Sequence, residues 1–296
     1  MSEKKNFKSG FAAIIGKPNV GKSSLMNLFL GQKLSIVTNK PQTTRKNILG
    51  ILTRNDFQII FIDTPGFLKP RYLLQEKMQK SIIHSLKDAD IVIFISDINS
   101  FPTDYDNATC KILKKMKITK FGVINKIDLG KKDEIKKVEK KISEFDFDKL
   151  FFISVKENFG ISQLVNEIKN FLPTHPAHFP KDDISTQPIR FFTEEIILEK
   201  IFLLLKKELP YTSAVTIEKF IEVENSAEIY ANIFVESSSQ KKIIIGNNGQ
   251  MIKKIRQLAE KDIHKIVGKR IKLNLWIKVR KNWRKKERIL KELGYS

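Results

Sequence analysis

The chain has 296 residues, 41% of them hydrophobic, a single cysteine and a formal net charge of +21. This exceeds one ordinary domain and supplies enough apolar residues for two cores, while a lone Cys110 excludes an internal disulfide and fits a reducing cytosol. No apolar run approaches the roughly 18 residues needed to cross a bilayer, Met1–Gly10 is polar with no signal-peptide region, and His84, His175, His178 and His264 lack metal-ligand spacing.

In chain order, the apolar run Phe11 to Ile15 reads as a buried strand and Ser23 to Leu30 as a helix. Between them stands Gly16-Lys17-Pro18-Asn19-Val20-Gly21-Lys22-Ser23, which fits the phosphate-loop pattern, with Ser24 beside it in the nucleotide-binding set. A strand, a tight glycine turn and a helix N-terminus aim backbone N–H groups and a helix dipole at one point, which makes an anion site. Lys22 is expected to reach the outer phosphates and the Ser23 hydroxyl to bind Mg2+. Gln32 to Asn47 is rich in Thr, Lys and Gln and reads as a surface loop. Within it Thr43 and Thr44 are candidate switch residues, Thr44 facing the metal.

Ile48 to Thr53 and Phe57 to Ile62 read as paired strands, the second ending in Asp63-Thr64-Pro65-Gly66. A carboxylate just past a buried strand can hold Mg2+ through water, and the Gly66 N–H can sense a γ-phosphate. Helix and strand then alternate: Tyr72 to Lys87, Ile91 to Ser96, Asp104 to Lys115 and Phe121 to Ile124. The last leads to Asn125-Lys126-Ile127-Asp128. The Asp128 carboxylate can accept from the N1 and 2-amino groups of guanine, and adenine lacks the second donor. The Lys126 stem can pack on the ring and Asn125 can tie this loop to the phosphate loop. A helix from Asp133 to Ser143 and a strand from Leu150 to Ile153 follow. Backbone N–H groups of Ser154-Val155-Lys156 are candidates for guanine O6, and a helix from Ile161 to Phe171 closes the series. The alternation predicts an α/β fold, a mainly parallel sheet with helices on both faces and the ligand at the carboxyl ends of the strands.

Four prolines between Pro173 and Pro188 mark a linker. The expected division is residues 1–175, a linker over 176–192, and a second domain over 193–296. That domain is expected to open on a helix from Thr193 to Leu209, with Thr193 as N-cap and Glu194 and Glu195 at its positive end. Ala214 to Val223 and Ile229 to Val235 alternate as strands. A short apolar helix, Gly246-Asn247-Asn248-Gly249, a basic helix and a strand from Lys272 to Val279 come next. The glycines allow a nucleic-acid backbone to approach closely. The stretch resembles KH RNA-binding modules, and that resemblance implies as candidate contacts Gly246, Asn247, Asn248 and Gly249, an apolar groove of Ile243, Ile244, Ile252 and Ile255, and the cations Lys253, Lys254, Arg280 and Lys281. Trp283 to Tyr295 reads as a basic amphipathic helix packing through Trp283, Ile289, Leu290 and Leu293. From Lys241 to Ser296 there are 18 Lys and Arg against four acids, a net +14. Such a segment suits nucleic acid, a solvated face or an anionic membrane.

On the motifs GKPNVGKS (16–23), QTTR (42–45), DTPG (63–66), NKID (125–128) and ISV (153–155), the chain resembles translation-factor-class GTPases. Helix, two strands, helix, GxxG, helix and strand resemble a type II KH RNA-binding domain, and the two in this order resemble the Era family over about residues 8 to 295. Val155 replaces the usual alanine of the last motif, where only a backbone N–H is needed. Phe67 stands where Ras-like GTPases carry a water-orienting Gln, as in the Era-like subgroup, so slow intrinsic hydrolysis is expected. In related GTPases an Asn at the place of Asn19 helps coordinate K+. The resemblance implies GTP/GDP with Mg2+, and K+ as an ion Asn19 could hold. It also implies a GTPase that binds 16S ribosomal RNA near its 3′ end and assists rRNA processing and biogenesis of the 30S subunit. A monomer in the cytoplasm, with peripheral association to the inner membrane, is the matching expectation. A membrane-surface GTPase and a mainly structural RNA scaffold are the competing readings.

Overall fold

The computed structural model describes residues 7–38, 40–67 and 69–295, and Met1 to Asn6 of the polar N-terminal stretch lie outside them. The chain separates into two compact units. The first comprises Met1–Ser35, Thr44–Lys69 and Met78–Thr186; the second comprises Ile36–Thr43, Pro70–Lys77 and Gln187–Ser296.

In the first unit the expected alternation is present as β1 (Lys8–Ile15), α1 (Lys22–Leu30), β2 (Ile48–Thr53), β3 (Phe57–Asp63), α2 (Leu73–Asp88, of which Leu73–Lys77 group with the second unit), β4 (Ile91–Asp97), α3 (Asp104–Lys114), β5 (Thr119–Asn125), α4 (Lys132–Ile142), β6 (Lys149–Phe152) and α5 (Ile161–Phe171). The sheet runs β2-β3-β1-β4-β5-β6. Every neighbouring pair is parallel except the β2–β3 hairpin. All seven residues of β3 and of β4 are buried, as strands covered on both faces require. Ala13, Ile15, Val92, Phe94 and Ile124 point to one face, where they meet Ile82 and Leu86 of α2, Leu113 of α3 and Ile142 of α4. On the other face Phe61 stacks on Phe29 of α1 at 4.5 Å and Phe121 meets Phe171 of α5 edge-on at 5.3 Å. This doubly wound arrangement puts every nucleotide motif at one edge, the carboxyl ends of the strands.

The proline-rich segment is not a free spacer. The Gln58 side chain donates to Phe179 O (2.9 Å) and accepts from the His178 and Phe179 amides (2.8 and 3.0 Å). The Ile51 amide bonds Ile184 O (2.8 Å). Residues up to Thr186 therefore belong with the first unit, held by a buried glutamine that composition could not reveal.

The second unit runs α6 (Ile189–Leu204), β7 (Ala214–Glu222), β8 (Ser226–Val235), α7 (Ser238–Ile245), α8 (Gln250–Val267), β9 (Arg270–Val279) and α9 (Glu287–Glu292). β8 pairs β7 antiparallel and β9 parallel. Ile201, Phe202, Ile229, Ile233, Ile255 and Ile263 form its core, and Ile36 is buried in the same cluster.

Two expectations are corrected. α6 begins at Ile189, not Thr193: Pro188 is the N-cap, and the Thr193 hydroxyl bonds Ile189 O one turn back (2.9 Å). Proline at the boundary presets the backbone angle and needs no donor. Glu194 does not serve the helix start either, since it accepts from the Ile217 amide (3.0 Å). The C-terminal segment is not one continuous helix but a 3-10 turn at Trp283–Lys285 followed by the six-residue α9. Trp283, fully buried, donates to Thr212 O (2.8 Å), which pins the turn and stops the helix from running through it.

Candidate nucleotide site and RNA interface

β1 delivers the chain to the phosphate loop and Gly21 starts α1. Gly21 has φ +107°, and a Cβ there would sit 2.4 Å from the Asn125 amide, so only glycine fits. Lys22 is buried, its ammonium donating to Gly16 O (3.1 Å) and Lys17 O (2.9 Å) inside the loop. Burial lowers its pKa to about 8, partly offset by the charge of Asp63. The Asn19 backbone has φ +65°, a conformation that asparagine tolerates.

Ser23, Thr44 and Asp63 converge although 21 and 40 residues separate them from Ser23. Ser23 Oγ donates to Asp63 Oδ2 (2.7 Å) and lies 3.0 Å from Thr44 Oγ1. Asp63 is fully buried and, among the described residues, its Oδ1 has no hydrogen-bond partner. Burial pushes its carboxyl above the ordinary range, against the Ser23 hydrogen bond and the Lys22 charge. A buried carboxylate with an unused oxygen beside two hydroxyls has the hard oxygen donors Mg2+ takes, so these residues fit the ion. Thr43 is also buried, but its hydroxyl turns to Lys40 O (3.4 Å).

Thr64 donates to Ile14 O (2.8 Å) and is a structural member of its motif. The Phe67 amide bonds Gly16 O (3.1 Å), joining the third motif to the phosphate loop. Its ring is buried with Ile62, Ile82 and Leu86 and offers no group to hold a water. Pro65 and Gly66 complete that turn, with Pro18 packed where a Gly66 Cβ would stand (2.8 Å).

The base-recognition loops are cross-tied. Asn125 Nδ2 donates to Val20 O (2.8 Å), the tie to the phosphate loop that the sequence led us to expect. Its Oδ1 accepts from the Val155 amide (3.0 Å), and the Ser154 amide bonds Phe159 O (3.2 Å). Two of the three amides expected to face guanine O6 are thus engaged within the protein, because they knit the last motif into the sheet; Lys156 is exposed. Sequence reasoning missed the Ser154 hydroxyl, which donates to Asp128 Oδ1 (2.5 Å) and orients the carboxylate expected to read the base.

In the second unit Gly246 links α7 to the loop with φ +73°, and a Cβ would lie 2.7 Å from Met251 Cβ. Asn247 and Asn248 are exposed, Asn248 with φ +48°. Gly249 caps α8, whose N-terminal amides therefore face the loop, and Lys253 and Lys254 are exposed one turn on. Ile243 is 56% exposed and Ile252 is half-buried. Ile244 and Ile255, expected in the groove, are instead 0% exposed and belong to the core, since they point from α7 and α8 onto the sheet. Arg280 lies 4.3 Å over the Phe234 ring and pairs with Glu292 (2.8 Å), while Lys281 is exposed. Arg284 is held by both oxygens of Glu236 (3.2 and 2.8 Å), which removes it from the free basic face.

Fold and site together define a P-loop GTPase followed by a KH domain. Residues 11–126 match the family model described as 50S ribosome-binding GTPase, and residues 208–284 match that of the KH domain. Over nearly its full length the chain is similar to Aquifex aeolicus Era bound to GDP and AlF4−: 34% identity, 98% of this chain and 100% of that one, TM-score 0.93. It is equally similar to Era solved with MgGDPNP and nucleotides 1506–1542 of 16S ribosomal RNA (34% identity, 98% and 99% coverage, TM-score 0.93). The chain belongs to the Era family of GTPases.

Proposed function

We propose that this protein is a GTP-driven switch that binds 16S ribosomal RNA near its 3′ end and assists rRNA processing and assembly of the 30S subunit. The observation that carries this reading is the full-length likeness to Era in complex with MgGDPNP and a 16S fragment. The GTPase-domain model mentions the 50S particle but spans only residues 11–126, whereas the RNA-bound relative matches both domains.

Lys22 and the loop amides would hold the phosphates, Asp128 would read guanine, and Ser23, Thr44 and Asp63 would hold Mg2+, whose chemistry there would be to neutralise negative charge on the phosphates. Phe67 gives no hydrogen bond to water, so turnover without a partner is slow. Asn19 is proposed to help hold a K+ ion. GTP turnover in KCl is then expected to exceed that in NaCl at equal ionic strength, and equal rates would remove K+ from the account.

The nucleotide state is read through Thr44 and Gly66. The segments adjoining them in the chain, Ile36–Thr43 and Pro70–Lys77, belong to the second unit, and Ile36 is buried in its core. Ordering Thr44 and Gly66 around Mg-GTP therefore pulls on strands of chain that the KH unit holds. The RNA surface is Gly246–Gly249, Ile243, Ile252, Lys253 and Lys254, with Lys281 at its margin. The protein acts as a monomer in the cytoplasm, with peripheral contact to the inner membrane through its basic C-terminal segment. Crosslinking followed by sequencing of bound RNA in the GTP and GDP states tests the assignment: enrichment of the 16S 3′ region is expected, and scattered RNAs without ribosomal enrichment would refute it.

A further inference from the structure

The phosphate loop carries a second lysine, Lys17, whose side chain turns to the β4–α3 connection and α3. Its ammonium is 3.0 Å from Asp106 Oδ2 and donates to Ser100 O (3.2 Å), in a pair whose side chains are 10% and 0% exposed. The same Asp106 oxygen accepts from the amide and hydroxyl of Thr103 (2.8 and 2.7 Å), the N-cap of α3. Asp106 Oδ1 is buried, with no partner among the described residues. The link continues. Ser100 Oγ donates to Asp97 Oδ1 (2.7 Å), Asp97 lies 3.7 Å from the Lys126 ammonium, and Lys126 donates to Asn19 O (2.8 Å).

These contacts form a closed polar circuit. It leaves the phosphate loop at Lys17, crosses the β4–α3 connection, reaches the guanine-reading motif at Lys126 and returns to the phosphate loop at Asn19. For stability alone this is an expensive arrangement: a buried ion pair gains little over an apolar pair of the same shape. What it supplies is position, since a pair held this deep and cross-tied by hydrogen bonds has one geometry.

We propose that the Asp97–Asp106 connection is a brace for the nucleotide site, in which Asp106 acts through Lys17 and Asp97 through Lys126 as positioning residues. Asp106 sets the phosphate loop against the sheet, and Asp97 holds the guanine loop in register with it. The proposal rests on the guanine-nucleotide reading of the site, and the experiment distinguishes the two. Affinities of the full-length protein for GDP, GMP and guanosine are measured by displacement of a fluorescent GDP analogue, alongside the melting temperature. Wild type binding no GDP would overturn the nucleotide reading and the brace with it.

Asp106→Asn is expected to lower GDP affinity by about tenfold or more, the scale on which a misplaced binding loop is felt. GMP and guanosine affinity should be unchanged, so the GDP-to-GMP ratio falls. Lys17→Gln should reproduce this, Lys17→Arg should restore the ratio, and the Lys17→Gln/Asp106→Asn double variant should lose no more than either single one. Asp97→Asn should weaken guanosine, GMP and GDP together. A lower melting temperature with an unchanged GDP-to-GMP ratio in Asp106→Asn would overturn the proposal. Should Asp106→Asn fail to fold, the ratio in Lys17→Gln decides it by the same criterion.

Discussion

Lys22, in the proposed nucleotide site, is a buried cation that donates to two carbonyls, with its pKa lowered to about 8. Against phosphate it must be an ammonium, so above pH 8 each binding event takes up a proton. Affinity for GDP should therefore hold steady below about pH 8 and fall by up to about tenfold per pH unit above it, approaching the ordinary lysine value. A titration of GDP binding between pH 7 and 9.5 checks this, and a flat profile would contradict it. Asp128 makes the second residue-scale prediction. Its carboxylate, oriented by Ser154, is proposed to accept two hydrogen bonds from guanine. Asp128→Asn keeps one acceptor but sets an amide donor against the other guanine N–H, so GDP should weaken by at least about 1.5 kcal/mol, since hydrogen bonds to a charged group contribute about 1.5–3 kcal/mol each. Xanthosine diphosphate, with a carbonyl at the 2-position, should bind the variant better than wild type in the same displacement assay. At this scale the sequence was legible where the chemistry is local. The loop from Gly16 to Ser23 and the Asn125–Asp128 motif carry their geometry in adjacent residues. Asp106 was not legible as a site residue, because its partner Lys17 lies 89 positions away and a lone aspartate in a helix first turn reads simply as a capping residue.

Among the elements, the strands of the first unit were readable because continuous apolar runs such as Ile91 to Ser96 admit only a doubly covered strand. α6 was not, since Glu195, Glu199 and Lys200 on it are buried. Lys200 pairs with Glu199 (2.7 Å) and with Asp262 of α8. Hydropathy marks such residues as solvent-facing, which blurs the helical period and moves the apparent start to Thr193. The short α9 escaped for a related reason: the burial of Trp283 under the Thr212 carbonyl is a tertiary contact that overrides local helix propensity. The Gly246–Gly249 loop gives an element-scale prediction. Both glycines have φ near +74°, but only Gly246 has a neighbour in the way of a Cβ. Gly249→Ala should cost about 1 kcal/mol from backbone strain alone, and Gly246→Ala roughly 2–3 kcal/mol with displacement of Met251 and loss of RNA binding. Denaturant unfolding of the two variants measures the difference, and equal costs would show that α8 yields freely at Met251.

At the scale of the whole molecule, charge is the link between sequence and partner. Two-thirds of the net +21 falls in the last fifth of the chain, and the exposed Lys253, Lys254 and Lys281 lie within it. Arg280 and Arg284, by contrast, are engaged by Glu292 and Glu236, so the usable positive surface is smaller than composition alone indicates. The two-domain order was legible because each domain carries its own motif. The placing of Ile36–Thr43 and Pro70–Lys77 with the second unit was not, since nothing in a Thr- and Lys-rich loop names the core that buries Ile36. That placing underlies the central claim, that nucleotide state governs RNA binding. The most direct test is the affinity of the full-length protein for a fluorescent RNA of the 16S 3′ terminal sequence, measured with Mg-GDPNP and with Mg-GDP at one fixed salt concentration. The account predicts binding at least about tenfold tighter with Mg-GDPNP, a coupling of about 1.4 kcal/mol. Equal affinity in the two states would contradict it.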